Sequence, residues 1–123
     1  MNTIKKLFCL ILFFPLILAG CNSSSVSINQ VFDIPDKVQN VINTDDQLQL
    51  IQKGVNAYII LQTSEMLINS EIEVVNGILN INFNTEDQGN TDPKQYIFKM
   101  YPGNKKVKIL INGKVTSFER TNI

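Results

Sequence analysis

The sequence predicts a mainly β fold, a small antiparallel β-sandwich or barrel-like meander of about seven strands with one short N-terminal helix. Three observations carry that expectation. Apolar and polar residues alternate with a period of two along several runs after residue 46. Turn residues separate those runs at about the 8–12-residue spacing typical of all-β domains. Asn-Gly, which tolerates the positive φ angles of a tight hairpin, stands between alternating runs at Asn76-Gly77 and again at Asn112-Gly113.

Taken in order, Val26 to Phe32 reads as an extended segment. Ile34-Pro35-Asp36 then has the look of a helix start, since proline suits the first turn and an acid there favours the dipole. A short helix over about residues 35–43 would place Val38, Val41 and Ile42 on one face, and Asn43-Thr44-Asp45-Asp46 ends it. QLQLIQ sets Leu48 and Leu50 against Gln47, Gln49 and Ile51, with a turn at Lys53-Gly54-Val55-Asn56. AYIILQT is apolar on both faces, as an interior strand covered on both sides would be.

EIEVV places Ile72 and Val74 together ahead of Asn76-Gly77. ILNINFN then alternates Leu79, Ile81 and Phe83 with Asn80, Asn82 and Asn84. The longest break, Thr85 to Lys94, is polar and holds Gly89 and Pro93. QYIFKMY puts Tyr96, Phe98 and Met100 on one face, and Pro102-Gly103-Asn104 turns the chain. KVKILI sets Val107, Ile109 and Ile111 in register, and KVTSFER closes the chain. Lys105, Lys106 and Lys108 would blunt an edge strand against aggregation.

The N-terminus is of another kind. MNTIKK is a basic head, and residues 7–20, LFCLILFFPLILAG, carry no charge. As a helix that run would be roughly 21 Å long, short of the ~30 Å hydrocarbon core of a bilayer, and Pro15 interrupts it. A basic head, a short apolar centre and small residues before a break make a secretory signal peptide. Its end, Leu18-Ala19-Gly20-Cys21, resembles the lipobox of bacterial lipoproteins at all four positions. The resemblance implies a diacylglyceryl group on the Cys21 thiol, cleavage before Cys21, and a chain held on the extracytoplasmic face of a bacterial membrane. Beyond residue 21 there is only a faint similarity to short lipoproteins of Gram-positive bacteria, some of which carry prolyl isomerase labels. The expected organisation is therefore a signal peptide over residues 1–20, a lipidated cysteine and flexible tether over 21–25, and a single β-rich domain over 26–123.

Composition narrows the chemistry. The chain has 123 residues, no histidine, no tryptophan and two cysteines, Cys9 and Cys21. A zinc site of His and Cys is excluded, as is a nucleophile–His–carboxylate triad or a disulfide framework in the domain. Residues 1–20 hold Lys5 and Lys6 and no acid, leaving nine basic and eleven acidic residues in the remainder. That balance is no footprint for nucleic acid.

Four features remain as candidates. Glu86, Asp87, Asn90 and Asp92 form an acidic loop, with spacing unlike a calcium-binding loop. With Tyr101 and Pro102 at the next turn, they are the expected contact loops of a binding module. Glu71 and Glu73 are paired carboxylates on one strand face, of a type that can do acid–base work in a deep cleft. Asn80, Asn82 and Asn84 form a same-face amide row able to hydrogen-bond a glycan or peptide. Tyr96, Phe98 and Tyr101, with Tyr58 and Phe83, would line a groove or fill the core. The reading that follows is a non-catalytic binding module on a lipid anchor, with no cofactor beyond that lipid and an envelope protein or polymer as partner. A folding factor such as a prolyl isomerase, or an immunity or inhibitor lipoprotein, is the alternative.

Overall fold

A computed structural model of the chain describes residues 26–89 and 92–123. The lipobox residues Leu18, Ala19, Gly20 and Cys21, the tether through Ser25, and Asn90 lie outside the described residues. Nine strands and one helix follow in order: β1 (Ser27–Gln30), α1 (Asp36–Gln39), β2 (Leu48–Lys53), β3 (Asn56–Thr63), β4 (Met66–Val75), β5 (Ile78–Glu86), β6 (Lys94–Tyr101), β7 (Val107–Ile111), β8 (Lys114–Val115) and β9 (Glu119–Asn122), counted among the described residues.

They form two sheets, ordered β1-β6-β3-β2-β9 and β4-β5-β7-β8. The expected small sandwich is what forms, though β2 pairs with β9, and β5 with β7, in parallel, so both sheets are mixed. The strand expected over KVTSFER is two short strands, β8 and β9, which lie in different sheets.

The alternation dictates the layers. Leu48, Leu50, Ala57, Ile59, Leu61, Phe98 and Met100 of the first sheet meet Leu79, Ile81, Phe83 and Ile109 of the second. The Phe83 and Phe98 rings lie 4.9 Å apart between centroids, across the two sheets. β3 is the central strand of its sheet and is apolar on both faces, as its sequence required. Its other face holds Tyr58 and Ile60, which join Ile51 and Val38 in a second core. Ile34, Val41, Ile42 and Ile97 pack against that core from its margins. Of the five candidate aromatic residues, Phe83, Phe98 and Tyr96 belong to the first core and Tyr58 to the second, while Tyr101 is exposed, so they line no common groove.

The helix is a single turn, shorter than the run of 35–43 that the apolar spacing predicts. A buried amide accounts for its end. Gln49 Nε2 donates to the Val41 carbonyl at 3.0 Å, and the Asn43 N–H donates to Gln49 Oε1 at 2.9 Å. Gln62 Nε2 adds a bond to the Asn43 carbonyl at 2.9 Å. Backbone groups that would extend the helix are thus turned onto the sheet, which satisfies them where water is scarce. Replacing Gln49 with leucine leaves an N–H and a carbonyl without partners. We expect Gln49→Leu to cost about 1–2 kcal/mol in urea unfolding, with faster exchange of the amides from Val38 to Asn43.

Both Asn-Gly dipeptides form the hairpin turns they predict, with Asn76 at φ 53° and Gly77 at 79°, and Asn112 at 52° and Gly113 at 81°. β7 is open on its outer side only over its first residues, and Lys105, Lys106 and Lys108 stand beside that short stretch. β5 flanks it on one side, and on the other β8 covers Leu110 and Ile111. The long free edge of that sheet is β4, and the two-residue β8 is the other.

Candidate polar face on the second sheet

The β5 alternation sends Leu79, Ile81 and Phe83 into the core and Asn80, Asn82 and Asn84 to the outer face. The β4–β5 register sets Glu71 opposite Asn82, Glu73 opposite Asn80, and Asn69 opposite Asn84. Two features that are separate in the sequence, the carboxylate pair and the amide row, thereby become one surface.

Its hydrogen bonds are directional. The Gly113 N–H donates to Asn82 Oδ1 at 2.9 Å, which fixes the orientation of that amide. Asn82 Nδ2 donates to Asn84 Oδ1 at 3.0 Å and to Glu71 Oε1 at 3.2 Å. Asn84 Nδ2 donates to Glu71 Oε1 at 3.1 Å and to Asn69 Oδ1 at 2.7 Å. The amides of Asn84 and Asn82, in that order, hold the Glu71 carboxyl below its ordinary value of 4.5. Hydrogen bonds donated to a carboxylate favour its charged form.

The consequence for pH has a definite sign. A depressed carboxyl pKa stabilises the fold at pH above the unfolded-state value, and that contribution is lost as pH falls through the folded-state value. A carboxyl-detected NMR titration is expected to give Glu71 a midpoint below 4.5, and Asn84→Ala is expected to return it toward 4.5.

A depression of about 470 Å³ lies on this face, lined by Glu71, Glu73, Asn80, Asn82, Leu110 and Gly113. Among the described residues, the side chains of Asn80 and Glu73 make no hydrogen bond there, so their donors and acceptors face solvent. The surface offers amide donors and acceptors, one fixed carboxylate, and the apolar side chain of Leu110. Hydroxyl-rich, amide-rich and cationic groups fit that chemistry.

It does not fit acid–base catalysis by the glutamate pair. That chemistry needs a cleft that excludes water, whereas Glu71 and Glu73 are both exposed on an open sheet face.

The expected contact loops are not brought together. Glu86 ends β5 and Asp92 stands just before β6, whereas Tyr101 ends β6 and Pro102 follows it, so the described residues of the two loops sit at opposite ends of an eight-residue strand. Asp87 is engaged locally, accepting from the Gly89 N–H at 2.8 Å, and Glu86 Oε1 accepts from Gln88 Nε2 at 3.0 Å. The carbonyl of Asp92 accepts from Lys94 Nζ at 3.5 Å. Tyr101 is 54% exposed, but Gly103 beside it is buried and its N–H donates to the Val55 carbonyl at 2.7 Å. Among the described residues no group of three or more His, Cys, Asp or Glu is placed to hold a metal ion.

A second cleft, about 570 Å³, opens between the sheets at one end of the sandwich, and Glu65, Thr85, Asn112 and Lys114 line it. No local sequence pattern marks these residues, which are separated by 20 and 27 positions where they bond. Thr85 Oγ1 donates to Glu65 Oε1 at 2.6 Å and accepts from Asn112 Nδ2 at 2.9 Å, while the Thr85 N–H donates to Asn112 Oδ1 at 2.8 Å. These bonds tie the β3–β4 turn, the end of β5 and the β7–β8 turn together. The cluster is a fastening.

Among the described residues no helix is long and apolar enough to cross a membrane. No family model matches the chain, and neither a curated protein nor a solved structure does.

Proposed function

We propose that this chain is a lipid-anchored bacterial lipoprotein whose domain is a non-catalytic binding module at the extracytoplasmic face of the membrane, with an envelope protein or polymer as its partner. The anchor rests on Leu18-Ala19-Gly20-Cys21 at the end of a short apolar signal. Two acyl chains, each contributing about 0.8 kcal/mol per buried CH₂, hold a protein stably where a single chain does not.

One observation carries the binding half of the proposal: the ordered array in which Asn82 and Asn84 fix an ionised Glu71 beside the open groups of Asn80 and Glu73. An array whose donors are already oriented loses little entropy on meeting a polar ligand. The missing catalytic groups, no histidine in the chain and no cysteine after residue 21, agree with it.

Metabolic labelling with a radioactive fatty acid tests the anchor. The wild-type chain is expected to take up label and enter the detergent phase, and Cys21→Ala is expected to do neither. Equal membrane association of the two would overturn the assignment.

A further inference from the structure

The least ordinary surface of the molecule is the free edge of β4. Edge strands present unpaired N–H and C=O groups, and proteins blunt them by shortness, proline, lysine or a bulge. The other edges here are short, with four residues in β1, four in β9 and two in β8. β4 has ten residues, Met66 to Val75, with neither lysine nor proline. Its one irregularity is the register shift between Leu67 and Asn69, which leaves Ser70 to Val75 in unbroken register with β5.

The strand is also apolar where it is bare. Of the eleven large hydrophobic residues that are exposed among the described residues, Met66, Ile68, Ile72, Val74 and Val75 belong to β4, and Ile78 begins its hairpin partner. Ile72 and Val74 are 45% and 47% exposed although they share the face that bears the core residues of β5. Every second residue of an edge strand turns its backbone hydrogen-bonding groups outward. The edge therefore offers a backbone ladder with an aliphatic row on one face and Glu71 and Glu73 on the other.

That charge pattern selects the occupant. A second copy pairing antiparallel, with like faces together, meets Glu71 or Glu73 opposite Glu71 or Glu73 in all three registers centred on residues 71 to 73. Like charges directly opposite one another destabilise a strand pair. A strand carrying lysine or arginine at alternate positions, with aliphatic residues between, meets the acids with cations and covers Ile72 and Val74.

We propose that β4 is a docking edge that takes an extended segment of a partner protein, one alternating basic and aliphatic residues, as an added strand of the second sheet. This names the partner class of the binding module and rests on that reading.

The test uses the full chain in detergent micelles with peptides as long as β4, one alternating lysine and valine and one alternating glutamate and valine. The lysine peptide is expected to bind about tenfold or more tightly than the glutamate peptide. It should slow hydrogen exchange at alternate amides between Met66 and Val75, and N-methylation of its alternate amides should abolish binding. The doubly substituted Glu71→Lys/Glu73→Lys chain is expected to reverse the preference. The N-methylated control stands even if that variant folds poorly.

Equal affinity for the two peptides, or self-association of the chain through β4 without peptide, would overturn the proposal. Binding of the lysine peptide that leaves the β4 amides unprotected would overturn strand pairing while the binding-module reading stands. Failure of both peptides to bind, together with no crosslinked partner in intact cells, would overturn both.

Discussion

Phe83→Ala is expected to lower the free energy of unfolding by about 3–5 kcal/mol, the range for deleting a buried aromatic ring. Phe83 is fully buried, its ring meets Phe98 of the opposite sheet, and it belongs to the core cluster that joins the two layers. A domain of this size has roughly 5–15 kcal/mol of stability in total, so this one change would remove a large share of it. Urea unfolding monitored by far-ultraviolet circular dichroism would show the midpoint fall. A loss under about 1 kcal/mol would mean that the sheets do not pack through this ring.

Gly103→Ala is the second large effect, with an expected cost of about 3 kcal/mol, the upper end for overpacking. A Cβ at this position would lie 2.6 Å from the Ala57 nitrogen and 2.7 Å from the Asn56 oxygen, and closer still to the Asn56 carbonyl carbon. Those are backbone atoms at the start of β3, which cannot rotate away as a side chain could. The loop has no freedom to retreat either. Gly103 N–H bonds Val55, and Arg120 Nη2 donates to the Gly103 carbonyl at 2.8 Å and to Gln52 Oε1 at 3.0 Å. Thermal unfolding of this variant beside Gly113→Ala separates close approach from backbone conformation, because nothing lies within 4 Å of a Cβ at Gly113. Equal losses in the two would contradict the close-approach account.

What could be read from the residues, and what could not, divides by sequence distance. ILNINFN and AYIILQT gave the correct buried faces because a strand's side chains alternate regardless of its neighbour. The two Asn-Gly turns were legible because their backbone demand is local. The first half of β4 was not, since the register shift at Leu67/Asn69 breaks the alternation that would have marked a strand before Glu71.

The parallel pairs β2–β9 and β5–β7 were equally hidden. They join segments far apart in the chain, and nothing within either strand encodes its partner. The same holds for the candidate site. Glu71 and the asparagine row were each visible as rows, yet only the hairpin register places them on one face and explains why Glu71 is held ionised. Helix α1 was predicted too long because apolar spacing continues through Ile42, whereas the Gln49 amide captures the backbone at Val41 and Asn43.

The claim that matters most is that a tethered domain meets its partner through the second sheet. Photocrosslinking in intact bacteria, from a photoreactive amino acid placed at position 80 in the wild-type chain and in Cys21→Ala, tests it most directly. The account predicts a discrete envelope adduct from the anchored chain that disappears when Cys21 is replaced. No adduct from the anchored chain, or the same adduct and full membrane association in Cys21→Ala, would contradict it.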